Sequence, residues 1–416
     1  MTTATIVTWT LVALSTAGVI VRPRRWPEWV WAVAGAMLLV VGGLMPPATA
    51  FDAVGKGLDV YLFLIGMMLL SETARDHGVF DWVAAVSVNG ARGSSARLFL
   101  LIYVAGVVVT AFLSNDATAV VLTPAVFAVA RKARADPLPL LLACALVANA
   151  ASFVLPISNP ANLVLYGGQT PPLGHWLASF ALPSLAAIVA TFGVLRLIER
   201  RRIVGACAGD VERPAFTIGG KLTLAGILLT AALLLATSAL DRQLGLPTAL
   251  AGIATTLAVS LIARRSPLAL VRRVSWGVLP LVAGLFVLVE ALDRTGVIAI
   301  VAGTLRGTAS DPRPAAAAAG TILAVVSNLM NNLPAGLVAS LAVAQAAPPR
   351  IVTDALLIGV DLGPNLSVTG SLATILWLQA IRREGEDVGF WRFLRIGAVA
   401  MPLALLAALG ARLAVG

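Results

Sequence analysis

The sequence predicts an all-α membrane protein with about ten transmembrane helices plus two re-entrant hairpins, arranged as two inverted-topology repeats. Three observations predict it. Hydrophobic residues make up 59% of the 416 positions and charged residues only 12%, far from the roughly one-quarter charged content of a soluble domain. Apolar stretches of about 20 residues, enough for a helix to cross the hydrocarbon layer, recur along the whole chain. Two further apolar regions carry a polar cluster in their middle, at matching places in the two halves.

The predicted spans are 4–21, 27–45, 57–74, 138–168 and 176–198 in the first half, and 221–240, 247–263, 275–292, 352–380 and 391–412 in the second. The first lacks the basic start and small-residue cleavage site of a signal peptide, so it reads as a retained span. The longest hydrophilic gap runs only from about Glu199 to Lys221, which leaves no soluble domain. A net charge of +10 could suggest nucleic acid, but the basic residues sit in short clusters between apolar segments. That is the distribution of cytoplasmic loops, and no nucleic-acid partner is expected.

The interrupted regions are 96–130, broken at Ser114-Asn115-Asp116, and 314–346, broken at Asn328 and Asn331-Asn332. Neither half of either region is expected to cross alone. Backbone freed at mid-depth must be covered by protein or line a watery cavity, so each region is predicted to be a re-entrant hairpin with its polar cluster at the tip. Charge supports this assignment. With both regions as hairpins, most of the 30 Lys and Arg fall on one side, including Arg22, Arg24, Arg25, Arg75, Arg131, Lys132, Arg200, Arg264 and Arg382. The other side keeps isolated charges such as Lys56, Arg242 and Arg350, as the positive-inside rule requires, and both termini then face the periplasm.

Five spans plus a hairpin make an odd number of crossings, so a duplicated unit must insert upside down the second time. The repeat is visible: ETARDHGV (72–79) is echoed by EALDRTGV (290–297), each just after the third span of its half. After each hairpin the next span holds a helix-breaking run, PISNPANL (156–163) in one half and DLGPNL (361–366) in the other. The expected organisation is a first repeat at 1–203, a cytoplasmic linker at 204–220 and a second repeat at 221–416. Broken helices meeting at mid-membrane are a recurrent secondary-transporter architecture.

Four polar clusters, 114–118, 156–162, 328–334 and 361–371, are therefore expected to converge. Their candidate binding residues are Ser114, Asn115, Thr118, Asn159, Asn162, Asn332, Asn365, Thr369 and Ser371, although Ser and Asn at such breaks also cap half-helices. Asp116 is the sharpest single candidate, because an acid at mid-depth is costly and points to proton exchange. Asp361 is the second, with the competing reading that it satisfies donors freed by Gly363 and Pro364. Glu72 and Glu290, near span ends, read as salt-bridged or hydrated. Cys144 reads as a small apolar residue, and the two cysteines have no metal or disulfide spacing. His77 and His175 are placed in loops. No Lys, Arg or His occurs in the four clusters, so a dianion would lack its usual Arg clamp. Gly220-Lys221 is no phosphate-binding loop, since Leu222 replaces the Ser or Thr, and neither cofactor nor enzymatic activity is expected.

The runs LSNDATAVVLTP (113–124), NNLP (331–334) and IGVDLGPNLSVTGSLAT (358–374) resemble the ArsB arsenite permease family of the ion transporter superfamily. The resemblance implies a bacterial inner-membrane protein exporting arsenite and antimonite as neutral trihydroxides in exchange for protons, with optional coupling to a soluble arsenical-pump ATPase. It also implies a transport domain moving against a scaffold, as in related sodium/dicarboxylate carriers. Those relatives carry Ser-Asn-Thr in both hairpins, where this chain has Ser114-Asn115-Asp116 and Asn331-Asn332-Leu333. A carboxylate in place of that Thr fits proton rather than sodium coupling. Two alternatives remain: a sodium- or proton-coupled carrier of a dicarboxylate- or sulfate-like anion, and an intramembrane enzyme using Asp116 and Asp361 as an aspartyl pair.

Overall fold

The computed structural model describes residues 2–167 and 170–415, so Gly168 of the predicted 138–168 span and the terminal Met1 and Gly416 lie outside the described residues. Regular structure within them is helical, with one isolated bridge between Ser94 and Ala206. The first half runs α1 (Thr3–Val21), α2 (Glu28–Val41), α3 (Pro47–Lys56), α4 (Leu58–Asp76), α5 (Val79–Ala91), α6 (Ser95–Phe112), the short α7 (Asn115–Ala117), a π turn (Thr118–Leu122), α8 (Thr123–Lys132), α9 (Pro137–Ala150), α10 (Pro160–Tyr166) and α11 (Leu173–Ile198). The second half runs α12 (Ile218–Ala239), α13 (Gly245–Ile262), α14 (Pro267–Val271), α15 (Val278–Arg294), α16 (Val297–Arg306), α17 (Pro312–Met330), α18 (Asn332–Ala346), α19 (Arg350–Leu362), α20 (Leu372–Arg383) and α21 (Phe390–Val415). The same order of elements occurs twice.

Seven of the described helices, α1, α6, α11, α12, α13, α17 and α21, are long and apolar enough to cross a membrane, and α3 with α4 makes an eighth bent by 50°. Three predicted features change. The arms preceding the polar breaks, expected to be too short to cross, are full-length: α6 has 18 residues and α17 has 19. The Ser94 hydroxyl caps α6 and Pro312 opens α17, so each break falls at a helix end rather than midway. The predicted span 27–45 shortens to the 14 residues of α2, which stops at Gly42-Gly43. His175 lies in the first turn of α11, exposed, and not in a loop.

The halves interlock. α4 packs on α13 and α15 on α2, so the third long segment of each half lies against the second of the other. α10 packs on α18, α20 packs on the π turn and α8, and α11 pairs with α21. Glycines permit the closest crossings: a Cβ on Gly66 would strike the Thr248 carbonyl, and one on Gly359 would strike the Gly320 carbonyl. Small residues at such crossings let helices approach where lipid offers no hydrophobic driving force between them. The linker is pinned under the first half, with Asn89 bonding both N–H and C=O of Val211, and the Cys207 amide donating to Gly93.

Candidate functional site

Both broken segments are held by asparagine. Between α9 and α10 the Asn162 side chain donates to the carbonyls of Ser152 (2.9 Å), Leu155 and Pro156 (3.3 Å each), taking up acceptors the break leaves without helical partners. Between α19 and α20, Asn328 of α17 donates to the Gly363 carbonyl at 2.8 Å and accepts from Ser367 at 2.9 Å. Thr369 donates to the Asn328 carbonyl, and the Asn332 amide donates to the Gly370 carbonyl at 2.8 Å, so the second hairpin tip is bonded to the second break. Asn331, between them, sits at φ 74° and ψ 152°, a region that ordinarily requires glycine; such strain clusters where surrounding structure imposes a geometry.

The two breaks are also bonded to each other. Asn149, near the end of α9, donates to Asn365 at 3.0 Å, and Asn365 donates to the Leu146 carbonyl. In the reciprocal place Asn159 donates to Asp361, near the end of α19, at 2.7 Å. The half-helix leading into each break thus grips the break of the other half, through two amides at one junction and an amide with a carboxylate at the other. Asp361 is fully buried, makes no ion pair among the described residues, and its Oδ2 has no hydrogen-bond partner. The equivalence of the two junctions fails where an ionisable group enters.

The first hairpin joins this network through Ser158, which donates to the Ala111 carbonyl at 3.1 Å. Ser114 caps the arm beyond it, accepting from the Ala117 amide, and Asn115 is buried. Thr118 shares a hydrogen bond with Thr110 at 2.8 Å, and Thr123 donates to its carbonyl across the π turn, a distortion frequent at functional sites. A cavity of about 90 Å³ reaches Ser114, Asp116 and Pro160, enough for a few waters or one small solute. A neighbouring vestibule of about 490 Å³ shares Arg75, Val120, Val121, Ser275 and Leu376 with it and is also lined by Gln379 and Arg383.

The structure therefore divides the candidates. Ser114 and Asp116 line the cavity. Asn159, Asn162, Asn332, Asn365, Thr369 and Ser371 do not line it and form the bonded wall behind, Ser371 capping α20. Thr118, Asn162 and Asn365 are wholly buried and committed to internal bonds. Sequence reasoning passed over Asn149, Ser152 and Thr374; the place of Asn149 at a helix end before a break, opposite Asp361 in the other half, was the available signal. It also kept arginine out of the site. Folding brings Arg75 and Arg273 to the mouth of the cavity, Arg75 paired with Glu72 and Arg273 with Asp76 at 2.6 Å.

Comparison with known proteins places this arrangement. The chain is 28% identical to the arsenical pump membrane protein of Yersinia enterocolitica, over 93% of this chain and 94% of that one. It is 28% identical to the protein of the same description from Escherichia coli K12, over 92% and 93%. An uncharacterized transporter of Mycobacterium tuberculosis is 29% identical, over 94% and 95%. In fold it is similar to the crystal structure of the Alcanivorax borkumensis YdaH transporter, with a TM-score of 0.57, 16% identity and coverage of 88% and 87%. The likeness read from three motifs thus extends over most of the chain, a multi-pass membrane protein with transporter relatives. The profile of the citrate transporter family, CitMHS, matches residues 10–364, and the chain belongs to that family.

Proposed function

We propose that the chain is a secondary active exporter of arsenite and antimonite, carried as neutral trihydroxides in exchange for protons. The observation that carries this reading is the charge arrangement of the cavity. Asp116 faces it with no ion pair among the described residues, while the two arginines that line it, Arg75 and Arg273, are already held by Glu72 and Asp76, and Arg383 lines only the outer vestibule. Paired cations make a poor clamp for an anion. Hydroxyls, amides and helix ends freed at the breaks suit a neutral solute that both donates and accepts hydrogen bonds. The likeness to the arsenical pump membrane proteins of Yersinia and Escherichia supports an arsenical cargo.

In this reading residues 1–203 and 221–416 are two inverted units joined by 204–220, in a bacterial inner membrane with both termini periplasmic. Cargo enters from the cytoplasm and hydrogen-bonds Ser114, Asn115 and the freed backbone of the first hairpin. Thr118, Asn159, Asn162, Asn332, Asn365, Thr369 and Ser371 hold the breaks in place around it. Asp116 carries the exchanged proton, with Asp361 as second carrier. Proton entry from the periplasm favours outward release of cargo, and proton loss to the cytoplasm resets the carrier. A soluble arsenical-pump ATPase is a candidate partner.

The test is arsenite flux into everted vesicles or proteoliposomes with pH and sodium gradients imposed separately. Flux should follow the pH gradient and ignore sodium, and Asp116→Asn should abolish the pH-driven component. Full retention in that variant removes Asp116 from the mechanism, and sodium-driven flux removes proton exchange. One observation favours a second reading: Arg75 and Arg273 stand at the mouth in a chain whose family is described as citrate transporters. A sodium- or proton-coupled anion carrier would take up citrate or sulfate in the same liposomes faster than arsenite.

A further inference from the structure

Each half places a short helix between its second and third long segments, α3 in the first and α14 in the second. Because the halves interlock, each short helix covers a cavity of about 240 Å³ walled by the second segment of its own half and the third of the other. Beside α3 the walls are α2 and α15; beside α14 they are α13 and α4. α4 ends at Asp76 and α13 at Ile262, so the α14 cavity lies where hydrocarbon gives way to water, on the face expected to be cytoplasmic.

The two cavities differ in chemistry. The α3 cavity is lined by apolar residues alone, Met37, Phe51 and Val54 among them. Six of the eight residues lining the α14 cavity are polar: Asp76, His77, Ser260, Arg265, Ser266 and Arg273. Duplication accounts for the space but not for the ionic lining. Asp76 is the only carboxylate in it and is shared, accepting from Arg265 at 2.9 Å and from Arg273 at 2.6 Å. Two guanidiniums on one carboxylate leave a positive charge in excess, a surplus that the one-to-one Glu72–Arg75 pair lacks. Their side chains stay 58% and 54% exposed, and a guanidinium has five N–H donors, so each keeps donors for a further acceptor. Arg264 and Arg272 stand exposed beside them, and no Asp or Glu occurs between Asp241 and Glu290. Leading down to these arginines, α13 exposes Leu250, Ile253, Leu257 and Leu261, a single stripe at helical spacing.

We infer that the α14 cavity binds the phosphate of an anionic phospholipid, whose acyl chain lies along the α13 stripe. Basic pockets between spanning helices on the cytoplasmic side recognise anionic headgroups in this way. A free phosphate ion would meet the arginines but gain nothing from the stripe. The site touches the cargo cavity at one residue, since Arg273 lines both. Headgroup and Asp76 therefore compete for a side chain that stands at the cavity mouth.

The test follows thermal unfolding of the whole chain, delipidated in a neutral detergent and titrated with dioleoylphosphatidylglycerol. Dioleoylphosphatidylcholine and sodium phosphate are titrated in parallel. Phosphatidylglycerol should raise the melting temperature saturably, and the other two should not. Arg265→Gln removes the surplus charge and should raise the half-saturating fraction of phosphatidylglycerol about fivefold, while Arg265→Lys should bring it back. Asp76→Asn removes the competing acceptor and should lower that fraction, whereas a carboxylate that only held the arginines in place would raise it. Arg200→Gln with Arg201→Gln, which follow α11 and do not line the cavity, should leave the titration unchanged. An equal rise with phosphatidylcholine or with phosphate alone, a titration indifferent to Arg265→Gln, weaker binding in Asp76→Asn, or an equal loss in the Arg200 and Arg201 variant overturns the inference.

Discussion

Asp361 offers the cleanest separation of folding from coupling. Its Oδ1 accepts from Asn159 at 2.7 Å inside a fully buried junction, and its Oδ2 has no partner. Asp361→Asn keeps an acceptor at Oδ1 and removes the charge, so the hydrogen bond to Asn159 survives in neutral form. Loss of charge assistance costs about 1 kcal/mol, and removal of a buried carboxylate lacking a cation offsets it, leaving stability within about 1 kcal/mol of the parent. Asp361→Ala instead orphans the Asn159 amide, costing about 1–3 kcal/mol, and the void adds to it. Thermal unfolding in detergent should therefore rank Asn at or near the parent and Ala clearly below both. In proteoliposomes Asp361→Asn should slow pH-driven arsenite movement at least tenfold while sparing arsenite counterflow, which needs no net proton transfer. Parental pH-driven flux in Asp361→Asn refutes a proton role for this residue. Equal stability of the Asn and Ala variants refutes the claim that the Asn159 bond closes the junction.

Other consequences follow from packing and charge. Gly359→Ala drives a methyl into the Gly320 carbonyl where α17 crosses α19, and should destabilise by about 1–3 kcal/mol in thermal unfolding; an unchanged melting curve would show that the crossing can relax. Asp354 is wholly buried and bonded by Arg412 at 2.9 Å and by Tyr166 at 2.8 Å, with Arg350 at 3.8 Å as a second cation, so Arg412→Leu alone should cost less than the about 3–5 kcal/mol of an uncompensated buried charge, and Asp354→Leu with Arg412→Leu less still. A double variant no better than the single would show that the pair is not an isolated unit. Arg75→Gln and Arg273→Gln should change arsenite flux less than about threefold if the cargo is neutral, since an exposed pair contributes little. A tenfold loss in either, with citrate uptake lost in parallel, would favour the anion reading.

The sequence by itself determined that this is a multi-pass helical membrane protein and where its helices break. Apolar content and the spacing of polar clusters are local properties, and outside a closed barrel lipid leaves a spanning backbone only the helix, so PISNPANL and DLGPNL could be read as breaks directly. The same logic found the hairpin tips at Ser114-Asn115-Asp116 and Asn331-Asn332. It placed the starts of the arms before them within two residues, at 96 and 314, but took arms of 18 and 19 residues as too short to cross. Partnership was decided only in three dimensions. Asn159 meets Asp361 across 202 positions and Asn149 meets Asn365 across 216, distances over which no local pattern carries information. The arginines at the cavity mouth were likewise invisible, since Arg75 closes one helix and Arg273 precedes another. Hydropathy reports how deep a residue sits, whereas helix packing alone decides what faces it.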